Sequence, residues 1–145
     1  MEWRVRDYVP EDFNNISAFW DKIGLGGEER KDTAEVILQT LKFEGKLFIL
    51  ENTKDNEIIG TSWLTCDGRR IHVHHFGINK KYRKKGFGKI LAKESINYAK
   101  NKGYQLRLDV EKNNITAKTL YASFGFKAYT NYDIYVLRDI EKINI

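Results

Sequence analysis

Arg83-Lys84-Lys85-Gly86-Phe87-Gly88-Lys89-Ile90-Leu91 is the stretch of this chain that decides its fold. Two glycines stand one residue apart, and an apolar repeat at helical spacing begins at Phe87, which predicts a helix that follows a glycine-rich turn. The first N–H groups of a helix have no partner within it, and the helix dipole makes that end positive. Because glycine lets an anion approach the backbone closely, the stretch predicts a binding site for a phosphate-bearing ligand.

Positive charge is concentrated around this turn. The chain has a formal net charge of +5, with 31% charged and 41% hydrophobic residues, the balance of a globular protein. Six cations crowd the two glycines: Lys80, Lys81, Arg83, Lys84, Lys85 and Lys89. Their position favours an anionic ligand at the turn more strongly than the overall charge does.

Two familiar glycine motifs do not fit the stretch. A dinucleotide-binding fingerprint needs a third glycine where Leu91 stands, and a P-loop needs four residues between its glycines. A flexible turn into a helix is the alternative that any lone glycine pair leaves open.

The whole chain reads as alternating strands and helices in the order β-α-α-β-β-β-α-β-α-β-β. This order predicts an α/β (mixed α+β) fold, in which helices cover both faces of a mixed, mostly antiparallel sheet. The last two strands are predicted around the segments FKAY and DIYVL. A length of 145 residues suits one core, so residues 1–145 are predicted to form one domain. Ligands of such sheets bind where a crossover helix leaves a strand, and the quoted stretch lies at that point.

The chain's surroundings are predicted from what it contains. Cys66 is the only cysteine, which fits a reducing compartment, and its expected role is an apolar filler in a strand. The N-terminal residues alternate like a strand and lack the apolar block of a signal peptide. We therefore expect a cytoplasmic protein that does not enter a membrane.

The segment from Arg83 to Gly88 resembles the Q/R-x-x-G-x-G/A motif of the GNAT superfamily of N-acetyltransferases. A second segment, NNITAKTLYASFGF, is similar to that family's asparagine-to-tyrosine helix and the Gly-Phe that follows it. The order of elements also agrees over nearly the whole chain. The resemblance implies that acetyl-CoA is the cosubstrate and that its pyrophosphate lies on the turn.

The resemblance also implies which residues form the site. It places backbone groups at the end of the fourth strand against pantetheine and the thioester, and Tyr121 beside the departing thiolate as its proton donor. The implied cofactor-binding residues are Phe76, Gly77, Ile78, Arg83, Lys84, Lys85, Gly86, Phe87, Gly88, Lys89, Asn114 and Tyr121. Two of them have structural alternatives, since Asn114 can be an N-cap and Tyr121 a core aromatic.

The base that deprotonates the amine is predicted on the fourth strand. His72 lies where several family members have a glutamate, and alternation places His74 on the same face. A neutral imidazole could accept the proton directly or through water, while packing or surface histidines remain the alternative. No Cys, Asp or Glu joins the pair at close spacing, so no metal is expected. Asp109 and Glu111 are expected to orient their neighbours.

The predicted function is acetyl transfer from acetyl-CoA to a primary amine of a peptide or small molecule, by direct attack in a ternary complex. The acceptor is expected to enter over the loop GLGGEERKD and the last two strands, where Glu28, Glu29 and Asp32 could attract a cation. The alternatives are a non-catalytic CoA-binding sensor and a basic nucleic-acid-binding module. Nucleic acid is not the expected partner, because the chain has no helix-turn-helix, RNP or zinc pattern. A homodimer is left open.

Overall fold

A computed structural model describes all 145 residues. Its five strands are β1 (Trp3–Asp7), β2 (Lys46–Asn52), β3 (Ile58–Cys66), β4 (Ile71–Ile78) and β5 (Leu106–Leu108). Its four α-helices are α1 (Phe13–Lys22), α2 (Ala34–Lys42), α3 (Phe87–Lys102) and α4 (Ile115–Ser123). The predicted order is therefore correct from β1 to α4.

The five strands form one mixed sheet in the order β1-β2-β3-β4-β5. Neighbours from β1 to β4 are antiparallel, while β4 and β5 are parallel, with α3 as the crossover between them. A parallel pair needs such a crossover because the chain must return to the same end of the sheet. The predicted mixed, mostly antiparallel sheet is confirmed.

Helices cover both faces of the sheet, as expected. Along β2, Leu47 and Ile49 pack toward α1 and α2, while Phe48 and Leu50 pack toward α3. Successive side chains of a strand point to opposite faces, so this run of buried apolar residues supplies two cores at once.

Two of the helices end at glycines. Gly24 follows α1 and Gly103 follows α3, and both have positive φ angles, +82° and +78°, which favour glycine. No helix of the structure combines the length and the apolarity that crossing a membrane requires.

The prediction of two strands after α4 is wrong, because the structure has no strand there. Apart from a short 3₁₀ turn at Ile140–Lys142, residues after Ser123 form no helix or strand, and this segment includes both FKAY and DIYVL. A strand exists only when its main chain is paired, and no other strand of the chain lies beside these residues. The fifth strand is short, because only Leu106–Leu108 pair with β4.

Candidate active site

A β-bulge divides β4 into two halves. Trp63 of β3 lies opposite His74 and Thr61 lies opposite Gly77, so β4 has one residue more than β3 between these pairs. His75 takes up the extra residue with a φ of +45°, a conformation that few residues other than glycine adopt.

The bulge changes which β4 side chains face each helix layer. Ile71 and Val73 pack toward α3, as alternation requires, and Phe76 and Ile78 also pack toward α3 although they are of opposite parity. His75 instead packs against Trp20 and Trp63, on the α1 side. The sequence contains a signal for this shift, because the apolar residues of IHVHHFGI stand two apart and then three apart.

A buried hydroxyl holds the bulge in place. The Thr61 hydroxyl donates to the carbonyl oxygen of His75 at 2.8 Å and accepts from the indole N–H of Trp20 at 2.9 Å. Thr61 is fully buried, so both hydrogen bonds form away from water, where losing a partner is costly. Thr61 and Trp20 therefore fix the main chain just before Phe76, and the sequence predictions included neither residue.

Beyond Val73, β4 and β5 separate. The pairing covers only Ile71–Val73 with Leu106–Leu108, so the edge of β4 from His74 to Ile78 has no strand partner on that side. A small, mostly apolar cavity lies between β4, α3, β5 and α4. Its lining residues are Val73, Phe76, Ala92, Ser95, Ile96, Leu106, Leu108, Tyr121 and Phe126. The gap leaves main-chain polar groups beside an apolar pocket.

Tyr121 lies in this cavity with its ring between Phe76 and Phe126, at centroid distances of 5.6 Å to each. The ring is therefore a core aromatic, as the structural alternative predicted. Burial raises the pKa of Tyr121 to about 12, and neither a hydrogen bond nor a nearby charge contributes to that shift. The hydroxyl thus remains protonated at neutral pH, so a structural ring and a proton donor are compatible here.

The start of α3 has no capping side chain. Gly86 is the residue before the helix, and its φ of +86° is one that glycine adopts without strain. Lys84 also has a positive φ, +62°. None of the main-chain N–H groups from Lys84 to Lys89 has an acceptor within the chain. This turn is therefore a cluster of free donors at the positive end of a helix dipole.

The other two glycines of the site have packing roles. A Cβ on Gly88 would lie 3.2 Å from the Leu120 side chain, so Gly88 lets α4 approach the first turn of α3. A Cβ on Gly77 would lie 2.5 Å from Ile23, so Gly77 lets the end of α1 approach β4. Sequence reasoning assigned Gly88 to the close approach of a ligand, and the family resemblance assigned Gly77 to backbone contacts with pantetheine. In the structure each of these glycines also makes room for a neighbouring helix.

The cations near the turn divide into tethered and unpaired groups. Arg83 donates from Nε to the carbonyl oxygen of Ile78 at 3.0 Å, which ties the turn to the end of β4. Lys81 forms a 2.7 Å ion pair with Glu57. Four exposed cations at the turn have no carboxylate partner within 4 Å: Lys80, Lys84, Lys85 and Lys89. Phe87 is buried, so only its main chain faces the turn.

The two predicted histidines share one face of β4, as alternation required. Their rings stack at a centroid distance of 4.1 Å, and His72 Nε2 lies 3.5 Å from Asp109 Oδ2. His74 Nε2 lies 2.8 Å from the Thr65 hydroxyl. Burial, reinforced by the neighbouring histidines, lowers the pKa of His74 to about 4. Burial also lowers the pKa of His72, although Asp109 opposes that shift.

His75, which sequence reasoning did not single out, meets a loop carboxylate. Its Nε2 lies 3.0 Å from Asp32 Oδ2, close enough for an ion pair but not aligned as a hydrogen bond. Asp32 precedes α2, so this approach places the loop between α1 and α2 beside the bulge. The other two acids of that loop, Glu28 and Glu29, are exposed.

Asn114 caps α4, as the structural alternative predicted. Its Oδ1 accepts from the N–H of Ala117 at 3.1 Å. The residue is exposed, and its amide NH₂ remains available to a ligand.

An uncapped helix thus follows a bulged strand, with a split in the sheet beside it. The chain matches the model of the Acetyltransferase (GNAT) family over residues 8–126. The chain therefore belongs to the acetyltransferase (GNAT) family.

Related proteins agree with this assignment. The chain is 25% identical over 116 residues to mycothiol acetyltransferase of Kytococcus sedentarius, covering 78% of this chain and 39% of that protein. It is also 25% identical over 105 residues to human N-acetyltransferase 8B, covering 68% and 46% respectively. The chain thus spans less than half the length of these relatives.

Solved structures share the fold at lower identity. A GNAT-family acetyltransferase of Staphylococcus aureus Mu50 superposes with a TM-score of 0.78 at 19% identity, covering 92% of this chain and 90% of that one. AAC(6')-Iy, solved with the bisubstrate analog CoA-S-monomethyl-acetylneamine, superposes with a TM-score of 0.76 at 17% identity, covering 95% and 99%.

Proposed function

We propose that this protein transfers an acetyl group from acetyl-CoA to a primary amine of a peptide or small molecule, by direct attack within a ternary complex. Membership of the acetyltransferase family supports the reaction type. The observation that carries the proposal is the run of unaccepted N–H groups at the start of α3, next to a strand edge that lacks a partner. The turn supplies main-chain donors, and the neighbouring strand edge leaves main-chain groups of β4 unpaired.

The cofactor site follows from these main-chain groups. The turn Arg83–Lys89 would hold the pyrophosphate through main-chain N–H groups, and its unpaired cations would neutralise the charge. Phe76, Gly77 and Ile78 would present the free edge of β4 to pantetheine and to the thioester oxygen. A main-chain N–H at that edge would stabilise charge developing on the oxygen. Asn114 would add its free amide at the start of α4.

We assign to His72 the role of the base that accepts the proton of the amine. A lysine-like ammonium has a pKa near 10.4, so transfer to His74, with a pKa of about 4, is uphill by about 9 kcal/mol. His72 is more exposed, and Asp109 at 3.5 Å favours its protonated form. His74 would then hold the His72 ring by stacking. The acceptor amine would approach the face of β4 that bears these histidines, close to Asp32.

Tyr121 would assist the departure of the thiolate. Complete transfer of its proton to a thiolate whose thiol has a pKa near 8.5 costs about 5 kcal/mol when the tyrosine pKa is about 12. A hydrogen bond to the developing thiolate does not incur that cost. The apolar cavity also raises the pKa of a thiol within it, which reduces the mismatch. Tyr121 is therefore proposed as a hydrogen-bond donor from which the proton can follow.

Thermal melts with three ligands test the cofactor site. CoA should raise the melting temperature more than dephospho-CoA, and dephospho-CoA more than pantetheine, because each loses phosphate contacts and binding to the folded state stabilises it. Equal shifts with all three ligands would remove the turn at Gly86 from the cofactor site.

A panel of amines assayed for released thiol tests the reaction. Thiol release that depends on an amine supports acetyl transfer and identifies the acceptor class. Clear CoA stabilisation without turnover on any amine would favour the non-catalytic sensor. Binding to nucleic acid that CoA does not displace would favour the basic binding module.

A further inference from the structure

The hairpin between β2 and β3 meets the segment that leads from β4 into the turn before α3. Glu57, at the end of this hairpin, accepts a 2.6 Å hydrogen bond from the Tyr82 hydroxyl and forms a 2.7 Å ion pair with Lys81. Both contacts use the same carboxylate oxygen, Oε1. Lys81 and Tyr82 belong to the short 3₁₀ turn Lys80–Tyr82. The hairpin therefore holds the chain just before the glycine-rich turn, in contacts that no step of the proposed reaction uses.

Tyr82 is the buried member of these contacts. It is 5% exposed, and its hydroxyl also accepts a longer hydrogen bond of 3.4 Å from the Asn52 amide. Asn52 is itself buried, and its Oδ1 accepts from the N–H of Lys54, so its amide is fixed within the hairpin. A buried hydroxyl that loses a partner pays the cost of that loss away from water. The hydroxyl end of Tyr82 is thus fixed to the hairpin, mainly through Glu57.

The ring of Tyr82 carries this restraint to the start of α3. It packs edge-on against the ring of Phe87 at a centroid distance of 6.1 Å, and Lys85 Nζ lies 5.8 Å from its centre. Phe87 is buried and is the first residue of α3. Residues 83–86 therefore lie between two aromatic residues whose rings contact each other. Among them, Lys84 has a φ of +62°, a conformation that a residue with a side chain keeps only where its surroundings impose it.

We propose that Tyr82 and Glu57 are positioning residues, which hold the turn of residues 83–86 in the conformation that binds the pyrophosphate of acetyl-CoA. The inference rests on the proposed cofactor site, and both side chains act through the main chain of the turn. A turn that is already ordered loses little conformational entropy when it binds a ligand, so its affinity is higher. Without the Tyr82 hydroxyl, the same N–H groups would have to be ordered by the cofactor itself.

The charge of Glu57 separates positioning from a simple electrostatic effect. The carboxylate is ionised at neutral pH, because the Lys81 ammonium and the Tyr82 hydroxyl hold the pKa of Glu57 below its usual value. By charge alone, a carboxylate near a phosphate site weakens binding, so its removal would strengthen binding and also release Lys81. Positioning predicts the opposite result, a loss of affinity when the Glu57 side chain is removed.

Calorimetry with CoA and with pantetheine on Tyr82→Phe tests the proposal. The variant keeps the ring against Phe87 and loses only the hydroxyl, so CoA affinity should fall about three- to tenfold. Pantetheine has no phosphate, so its affinity should not change, and neither should turnover at saturating acetyl-CoA. Tyr98→Phe is the matched control, because it removes a hydroxyl that donates at 2.7 Å to the Glu44 carbonyl oxygen, in the other half of α3. It should leave both affinities unaltered.

Two substitutions of Glu57 supply the second test. Glu57→Gln keeps an oxygen that can accept from Tyr82 and should retain the CoA affinity of the parent, whereas Glu57→Ala should lose affinity as Tyr82→Phe does. Tighter CoA binding by Glu57→Ala overturns the proposal and reduces Glu57 to a charge effect. A Tyr82→Phe variant that keeps the parent's preference for CoA over pantetheine also overturns it, while the cofactor site stands. If the parent itself binds CoA and pantetheine equally, the proposed cofactor site fails and this inference fails with it.

Discussion

Helices α3 and α4 both line the cavity beside the gap in the sheet, but their N-termini are built differently. At α4, Asn114 accepts the N–H of Ala117. At α3, Gly86 precedes the helix, no side chain caps it, and the N–H groups of its first turn have no acceptor in the chain. A capped end contributes about 1 kcal/mol to stability, whereas an uncapped end leaves its donors for a ligand.

The roles that we propose for the two helices differ accordingly. α3 supplies donors and cations but no titratable group in the cavity, whereas α4 supplies Tyr121, buried in the cavity with a pKa of about 12. Gly88 brings the two helices together, because any side chain there would meet Leu120. We therefore expect substitutions at the start of α3 to change cofactor affinity and substitutions within α4 to change turnover.

Among the substitutions that test these proposed roles, Tyr121→Phe should have the largest effect. The variant keeps the ring between Phe76 and Phe126 but removes the hydroxyl, so turnover should fall about 10²–10⁴-fold. Acetyl-CoA affinity and melting temperature should change little, because the lost hydrogen bond matters mainly in the transition state. Turnover on an accepted amine, measured beside CoA affinity, checks this. A variant as fast as the parent would reduce Tyr121 to a core aromatic.

His74→Gln tests whether the face of β4 that bears His72 and His74 affects stability without affecting the cofactor binding that we propose for the helices. The folded-state pKa of about 4 lies below the ordinary 6.5, so the unfolded chain binds this proton first, and stability is lost as pH falls below about 6.5. Between pH 7 and pH 5 the free energy of unfolding should fall less in the variant than in the parent, by up to about 2 kcal/mol. Denaturant unfolding at both pH values measures it, and CoA affinity at pH 7 should not change. An unaltered pH dependence would contradict the buried, neutral His74.

Gly86→Val tests the binding half of the comparison. A β-branched residue at a φ of +86° is strained, and its side chain would stand among the free donors, so CoA affinity should fall about tenfold or more. Gly103→Val is the matched control, because Gly103 has a φ of +78°, has equally open surroundings and ends the same helix. Both variants should lose about 1–2 kcal/mol of stability. If calorimetry gives equal CoA affinities for the two variants, the turn at Gly86 does not bind the phosphates of CoA.

Asn114→Ala should have the smallest effect. Loss of the cap should cost about 1 kcal/mol of unfolding free energy, and Asn114→Ser should restore most of it. Thr33→Ala removes the corresponding cap of α2 and controls for stability alone. CoA affinity that falls in both Asn114 variants, but not in Thr33→Ala, would support an amide contact with the cofactor. Unchanged affinity in both would leave Asn114 as a cap only.

Much of the fold was predictable because its signals are local. Helix periodicity, the glycines after α1 and α3, and the asparagine before α4 are signals that act within a few residues, and the structure has a helix boundary at each of these residues. The shared face of His72 and His74 followed from simple alternation, which holds as far as His74. The two last strands were predicted from the same kind of local pattern, but strand formation also needs a partner, and no strand of this structure pairs with those residues.

The sequence by itself determined the element order to α4, the glycine turn with its cations, and the aromatic and histidine residues for which we propose catalytic roles. Tertiary structure alone decided that Thr61 and Trp20 hold the bulge at His75, that Asp32 meets His75, and that Gly77 and Gly88 make room for helices. These contacts join residues far apart in the chain, and local sequence does not encode which distant groups will meet. The same reason applies to β4 and β5, whose separation after Val73 depends on long-range pairing and opens the cavity beside Tyr121.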